Sequence, residues 1–147
     1  MNQIVHATDG SSEAAQALDF AIEMAKDTGA KLACVSVRTV HVGGKGLSPA
    51  ISTVEEPHGA EHLAAAAAET ARANGVNATA HALSGEPAKE IARFAQEKGA
   101  DLIVVGSRGF GAIHGALVGS VSRGLMMHSR VPVTVVTDRG VREATTV

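Results

Sequence analysis

Asp101-Leu102-Ile103-Val104-Val105-Gly106-Ser107-Arg108-Gly109 is the stretch on which the fold turns. An apolar run of strand length that stops at a glycine reads as a buried strand ending in a turn, and Gly119-Ser120 marks the start of a helix further on. The spacing is Gly106-x2-Gly109-x9-Gly119-Ser120. Glycines at a strand's end let backbone N–H groups come close to a ligand, and a helix starting nearby aims its positive end at the same point. The pattern is therefore a candidate anion nest, whereas any two of these glycines alone would read as ordinary breaks between strand and helix.

Outward from this stretch the same beat repeats. Apolar runs near Ile4 to Ala7, Leu32 to Val37, Ala78 to Leu83 and Val133 to Val136 alternate with helical patterns. Ala14, Leu18, Ala21, Ile22 and Ala25 fall on one face of a helix, as do Ala88, Ile91, Ala92 and Ala95 after Pro87, a good first-turn residue. Three helix-to-strand junctions place Gly29, Gly75 and Gly99 where a helix closes on a left-handed residue. This alternation predicts an α/β fold, a parallel sheet with helices on both faces. Residues 38–59, with Gly43-Gly44-Lys45-Gly46, Pro49 and Pro57, show neither period and are expected to form a long flexible loop. A single domain over 1–138 and a fraying polar tail over 139–147 complete the organisation.

Composition narrows the function classes. A chain of 147 residues with 45% hydrophobic and 19% charged residues has enough apolar material for one core. With three Phe and no Trp or Tyr, that core is built from Ala, Val, Leu and Ile, and the stacking platforms of single-stranded nucleic acid binders are missing. Net charge is −2 with scattered basic residues, so neither nucleic acid nor an anionic membrane is an expected partner. The first residues carry no basic segment followed by an apolar stretch, and no run reaches membrane-span length; a cytoplasmic location is expected. Cys34, the one cysteine, is expected in the core. Met126-Met127 reads as core filling, and no histidine pair has metal-ligand spacing.

Two nucleotide fingerprints are excluded. The turn after the first strand, Thr8-Asp9-Gly10-Ser11-Ser12-Glu13, contains no G-x-G-x-x-G, and around Gly44-Lys45 the phosphate-loop pattern fails because Gly46 stands where Ser or Thr is needed. Ser11 or Ser12 is the candidate cap of the first helix. Asp9 has two readings: a turn former bonded to its own backbone, or an acid at a strand's carboxyl end that binds a sugar hydroxyl or helps hold a divalent cation beside phosphates.

Thr8-Asp9-Gly10-Ser11, Asp101 through Gly109, Gly119-Ser120-Val121 and Val131-Pro132-Val133 resemble, in order and spacing, the universal stress protein family, over nearly the whole chain from Ile4 to about Thr137. The glycine motif is similar to that of the members that bind ATP. The resemblance implies an open, Rossmann-like, five-stranded parallel sheet of order 3-2-1-4-5, with strands 1 and 4 side by side. It also implies that backbone groups at Gly109, Gly119, Ser120 and Val121 hold phosphates beside Gly106, that Ser120 adds its hydroxyl, and that Asp9 lies near the ribose or an associated Mg2+ or Mn2+. By the same similarity the Val37 backbone contacts adenine, while Ala7 and Thr8 form the floor beneath the nucleoside. Arg108 is a further candidate phosphate contact. His6 departs from the family pattern, standing where an apolar strand residue is usual, and is expected to be a neutral, hydrogen-bonded core residue.

The final apolar strand, Val133 to Thr137, carries no charged gatekeeper, and in the family this strand commonly builds a homodimer; a monomer whose edge is covered by the C-terminal tail is the competing expectation. The leading functional expectation is a nucleotide-dependent regulatory module of the stress response that takes ATP, or AMP or ADP. The alternatives are a weak ATPase or autophosphorylating enzyme, and a nucleotide-free interaction protein of the same fold. Phosphoryl transfer needs an oriented nucleophile and charge clamps, and the sequence offers no recognisable base constellation.

Overall fold

The apolar runs become strands of one sheet. The computed structural model describes residues 1–39, 59–107, 119–137 and 140–144. Along these the elements are β1 (Gln3–Ala7), α1 (Ser12–Thr28), β2 (Lys31–Thr39), α2 (Gly59–Ala73), β3 (Ala78–Gly85), α3 (Pro87–Glu97), β4 (Leu102–Gly106), α4 (Ser120–His128), β5 (Val133–Thr137) and β6 (Gly140–Ala144). The first five strands are parallel in the order β3-β2-β1-β4-β5, as expected, and β6 joins β5 antiparallel. The expected 38–59 loop lies outside the described residues from 40 to 58.

Alternation along each strand sends its side chains to two cores. Ile4, Leu32, Cys34, Leu102 and Val104 pack under α1 and α2 with Ala21, Ile22, Ala67, Ala68 and Ala71. On the opposite face Val5, Val35, Ile103, Val105 and Val133 pack under α3 and α4 with Ile91, Phe94 and Leu125. Every buried residue of α2 is alanine, which lets that helix lie close to the sheet. Gly124 does the same between helices, since a Cβ there would stand 2.6 Å from the Ala88 Cβ. Gly29, Gly75 and Gly99 take φ of 76°, 85° and 64°, the left-handed closures that the three junctions require.

Three expectations need correction. Residues Gly140–Ala144, part of the polar tail expected to fray, form β6 and pair with Val133–Thr137. Consequently β5 is not an edge strand; it has β4 on one side and β6 on the other. An edge strand tolerates charged residues, which blunt its unpaired side against other chains, so Arg142-Glu143 does not read as strand in the sequence. Met127 is 73% exposed, not core: α4 turns Ser122 and Leu125 inward, three residues apart, and Met127 falls on another face.

His6 and Cys34 meet expectation. His6 has no solvent exposure, its Nδ1 donates to the Val104 carbonyl at 3.2 Å, and burial lowers its pKa from 6.5 to about 4, against the smaller raising effects of that bond and of Asp9. Its Nε2 has no hydrogen-bond partner among the described residues. The ring is therefore neutral at pH 7. Burial likewise pushes the Cys34 thiol up to about 12, so it is protonated and unreactive.

Candidate functional site

In a doubly wound sheet the ligand crevice opens where strand order reverses, beyond the carboxyl ends of the strands on either side. Here those strands are β1 and β4, paired through Ile4–Leu102, Val5–Ile103 and His6–Val104. A crevice open to solvent lies above them. One wall is Ala7, Asp9, Ser11 and Ala14, from the end of β1 and the start of α1; the other is Val105 and Gly106 with Gly119, Ser120, Val121 and Ser122, from the end of β4 and the start of α4. Residues nearly a hundred positions apart thus face each other, and the start of each helix borders the same space.

The β1–α1 wall is tied by its own side chains at three N–H groups. The Thr8 hydroxyl accepts the Gly10 N–H at 3.1 Å, an Asp9 carboxylate oxygen accepts the Ser11 N–H at 2.9 Å, and the Ser11 hydroxyl accepts the Ala14 N–H at 3.1 Å. Ser11 is the cap of α1. The turn reading of Asp9 holds, since its carboxylate accepts the Ser11 N–H, and the residue also lines the crevice. Gly10 takes φ of 82°, the conformation that permits this tight path.

The β4–α4 wall is open. Gly119 caps α4 without a side chain, and its own N–H donates to the Ser107 carbonyl. Arg123 N–H donates back to Gly119 O at 3.0 Å, the first bond of the helix. Among the described residues no acceptor takes the N–H groups of Ser120, Val121 and Ser122, the first three of α4. Unused N–H groups at a helix start, reinforced by the helix dipole, are an anion site.

The structure thus brings Ala7, Asp9, Gly106, Gly119, Ser120 and Val121 together at one crevice. Thr8 sits in the turn beneath, bonded to Gly10 through its side chain and to the Val35 carbonyl through its N–H. Val37 is placed apart from the lining, its side chain buried in the core on the α3 and α4 face. Arg108 and Gly109 lie outside the described residues. Gly106 has a packing function that spacing alone did not disclose: a Cβ would stand 2.7 Å from the Glu13 carbonyl carbon, so only glycine lets the α1 start lie against the end of β4.

Sequence reading missed Ser11 as a lining residue and missed Ser122 altogether. Ser122 is buried, lines the crevice, and donates to the Gly106 carbonyl at 2.9 Å. A serine three residues into a helix looks like any other in sequence; the signal that could have singled it out is the match of its position to the strand end it must reach.

The model of the universal stress protein family matches residues 1–137. The universal stress protein YxiE of Bacillus subtilis is 35% identical over 150 residues, covering 92% of this chain and 98% of that relative. Among solved structures, a universal stress protein in complex with cAMP is 27% identical, with a TM-score of 0.70 over 92% of this chain and 96% of the other. The universal stress protein of Archaeoglobus fulgidus in complex with dAMP is 27% identical, with a TM-score of 0.62 over 92% and 96%.

Proposed function

The chain belongs to the universal stress protein family, and we propose that it is an ATP-binding, cytoplasmic regulatory module of the stress response. The observation that carries this reading is the open start of α4, whose N–H groups at Ser120 and Val121 border the crevice and have no acceptor among the described residues. Such a cradle takes phosphate, and the two related structures described above hold adenine nucleotides.

In this assignment Ser120 and Val121 receive the phosphates with Arg108 and Gly109 of the same motif, and Gly119 and Gly106 keep that wall close. Ala7 and Thr8 underlie the nucleoside, Asp9 meets the ribose, and the Val37 backbone meets adenine. Asp9 is the one carboxylate among the described lining residues. A Mg2+ or Mn2+ ion accompanying the nucleotide would be held by Asp9 together with the phosphates, neutralising their charge. The regulatory partner is a second copy of the chain through Val133 to Thr137, and that homodimer competes with β6 for the same edge of β5.

Calorimetric titration of the purified protein with ATP, with extraction of copurified small molecules, tests the reading. About one nucleotide per chain is expected, and no binding by the native protein would sink it. Repeated release of phosphate per bound ATP would instead establish the enzyme alternative.

A further inference from the structure

α4 has nine residues, too few to hold a helix in place by its own hydrogen bonds. Its buried side chains are Ser122 and Leu125. Leu125 anchors the later turn in the core. The first turn, which carries the open N–H groups, is held differently. Ser122 reaches out of the helix to donate to the Gly106 carbonyl at 2.9 Å, and one turn boundary earlier the Gly119 N–H donates to the Ser107 carbonyl. Two adjacent carbonyls at the end of β4 therefore receive two bonds from the start of α4. Serines in a first turn commonly satisfy their own helix backbone; this one, 2% exposed, is spent on another element.

We propose that Ser122 is the positioning residue of the phosphate cradle: its bond to Gly106 sets the distance and tilt at which the Ser120 and Val121 amides face the crevice. This rests on the nucleotide reading above and adds to it a role for the Ser122 hydroxyl that requires no contact between that hydroxyl and the ligand. Loss of the hydroxyl leaves the Gly106 carbonyl without its donor and frees the first turn to drift, while Leu125 keeps the helix folded. The damage is confined to the wall that meets phosphate. The opposite wall, with Ala7 and Asp9, is unaffected.

The test is calorimetry with ATP, AMP and adenosine on wild type, Ser122→Ala and Ser122→Thr, with amide hydrogen exchange of the ligand-free proteins. Ser122→Ala is expected to raise the Kd for ATP about tenfold and that for adenosine by less than about twofold. Exchange at Ser120 and Val121 rises in the same variant, and Ser122→Thr, which keeps the hydroxyl, restores both. Equal weakening of ATP and adenosine, unchanged ATP affinity, or a Ser122→Thr protein as weak as Ser122→Ala would overturn the proposal. Wild-type protein that binds no ATP overturns the nucleotide reading together with it, whereas ATP binding that is indifferent to Ser122→Ala overturns the positioning role alone.

Discussion

The two strand-to-helix turns that border the crevice treat their backbone N–H groups in opposite ways. After β1, Thr8, Asp9 and Ser11 each spend a side-chain oxygen on an N–H of the turn or of the first turn of α1. After β4, Gly119 offers no side chain, and the N–H groups that follow it are left without an acceptor among the described residues. Both helices aim a positive end at the same space, but the Ser11 side chain caps α1 at the Ala14 N–H, whereas α4 has no side-chain cap. The difference separates a wall tied by its own side chains from a wall without a side-chain cap, and on the proposed assignment these would face the nucleoside and the phosphates respectively.

The largest expected effect comes from forcing the two walls apart. Gly106→Ala puts a methyl 2.7 Å from the Glu13 backbone, and the repacking should cost about 2–3 kcal/mol of stability in urea unfolding. ATP binding should fall with it, because both helix starts move. A variant of full stability would mean that the contact between β4 and α1 is not tight.

Equal in size at the acid end of its range is a pH effect located beneath the β1–α1 wall. Folded His6 takes a proton only near pH 4, and an unfolded chain takes it near 6.5. Between these values the unfolded state binds more protons, so stability falls as pH drops through the window, by about 3 kcal/mol at its lower end. His6→Gln should flatten that part of the stability profile, measured by urea midpoints from pH 7 to 4. An unchanged slope would show that other groups carry the acid sensitivity.

A negative charge introduced at the open wall comes next. Ser120→Asp puts a carboxylate at the first position of α4, where it suits the helix dipole but repels phosphate. The Kd for ATP should rise about tenfold or more with no loss of melting temperature. The smallest effect is expected at the β1–α1 wall: Ser11→Ala removes the α1 cap, should cost about 1 kcal/mol of stability, and should leave ATP affinity nearly unchanged. If Ser11→Ala weakened ATP as much as Ser120→Asp, the distinction between the walls would collapse.

Much of this was legible in the sequence, for a physical reason that also marks where it stopped. β1, β2 and β4 are buried on both faces and so announce themselves as apolar runs such as Leu102-Ile103-Val104-Val105. Closures at Gly29, Gly75 and Gly99 need a left-handed residue that glycine supplies cheaply, and composition records it. β6 was hidden because an edge strand tolerates charge, as in Arg142-Glu143. At the site, the motif pointed to Gly119 and Ser120 but not to which N–H groups remain open, since that depends on bonds to Ser107 and Gly106 from the other side of the motif. Gly106 was legible as a glycine that matters; that it also accommodates Glu13 was not, because the approach of α1 is a tertiary fact.

The most direct test of the open wall is the amide spectrum of isotopically labelled protein titrated with ATP and, separately, with adenosine. The account predicts that ATP shifts the Ser120 and Val121 amides most strongly, that adenosine leaves them nearly in place, and that the capped Ser11 and Ala14 amides move little with either. Equal shifts at Ser120 and Val121 with adenosine, or ATP shifts centred on the capped turn, would contradict it.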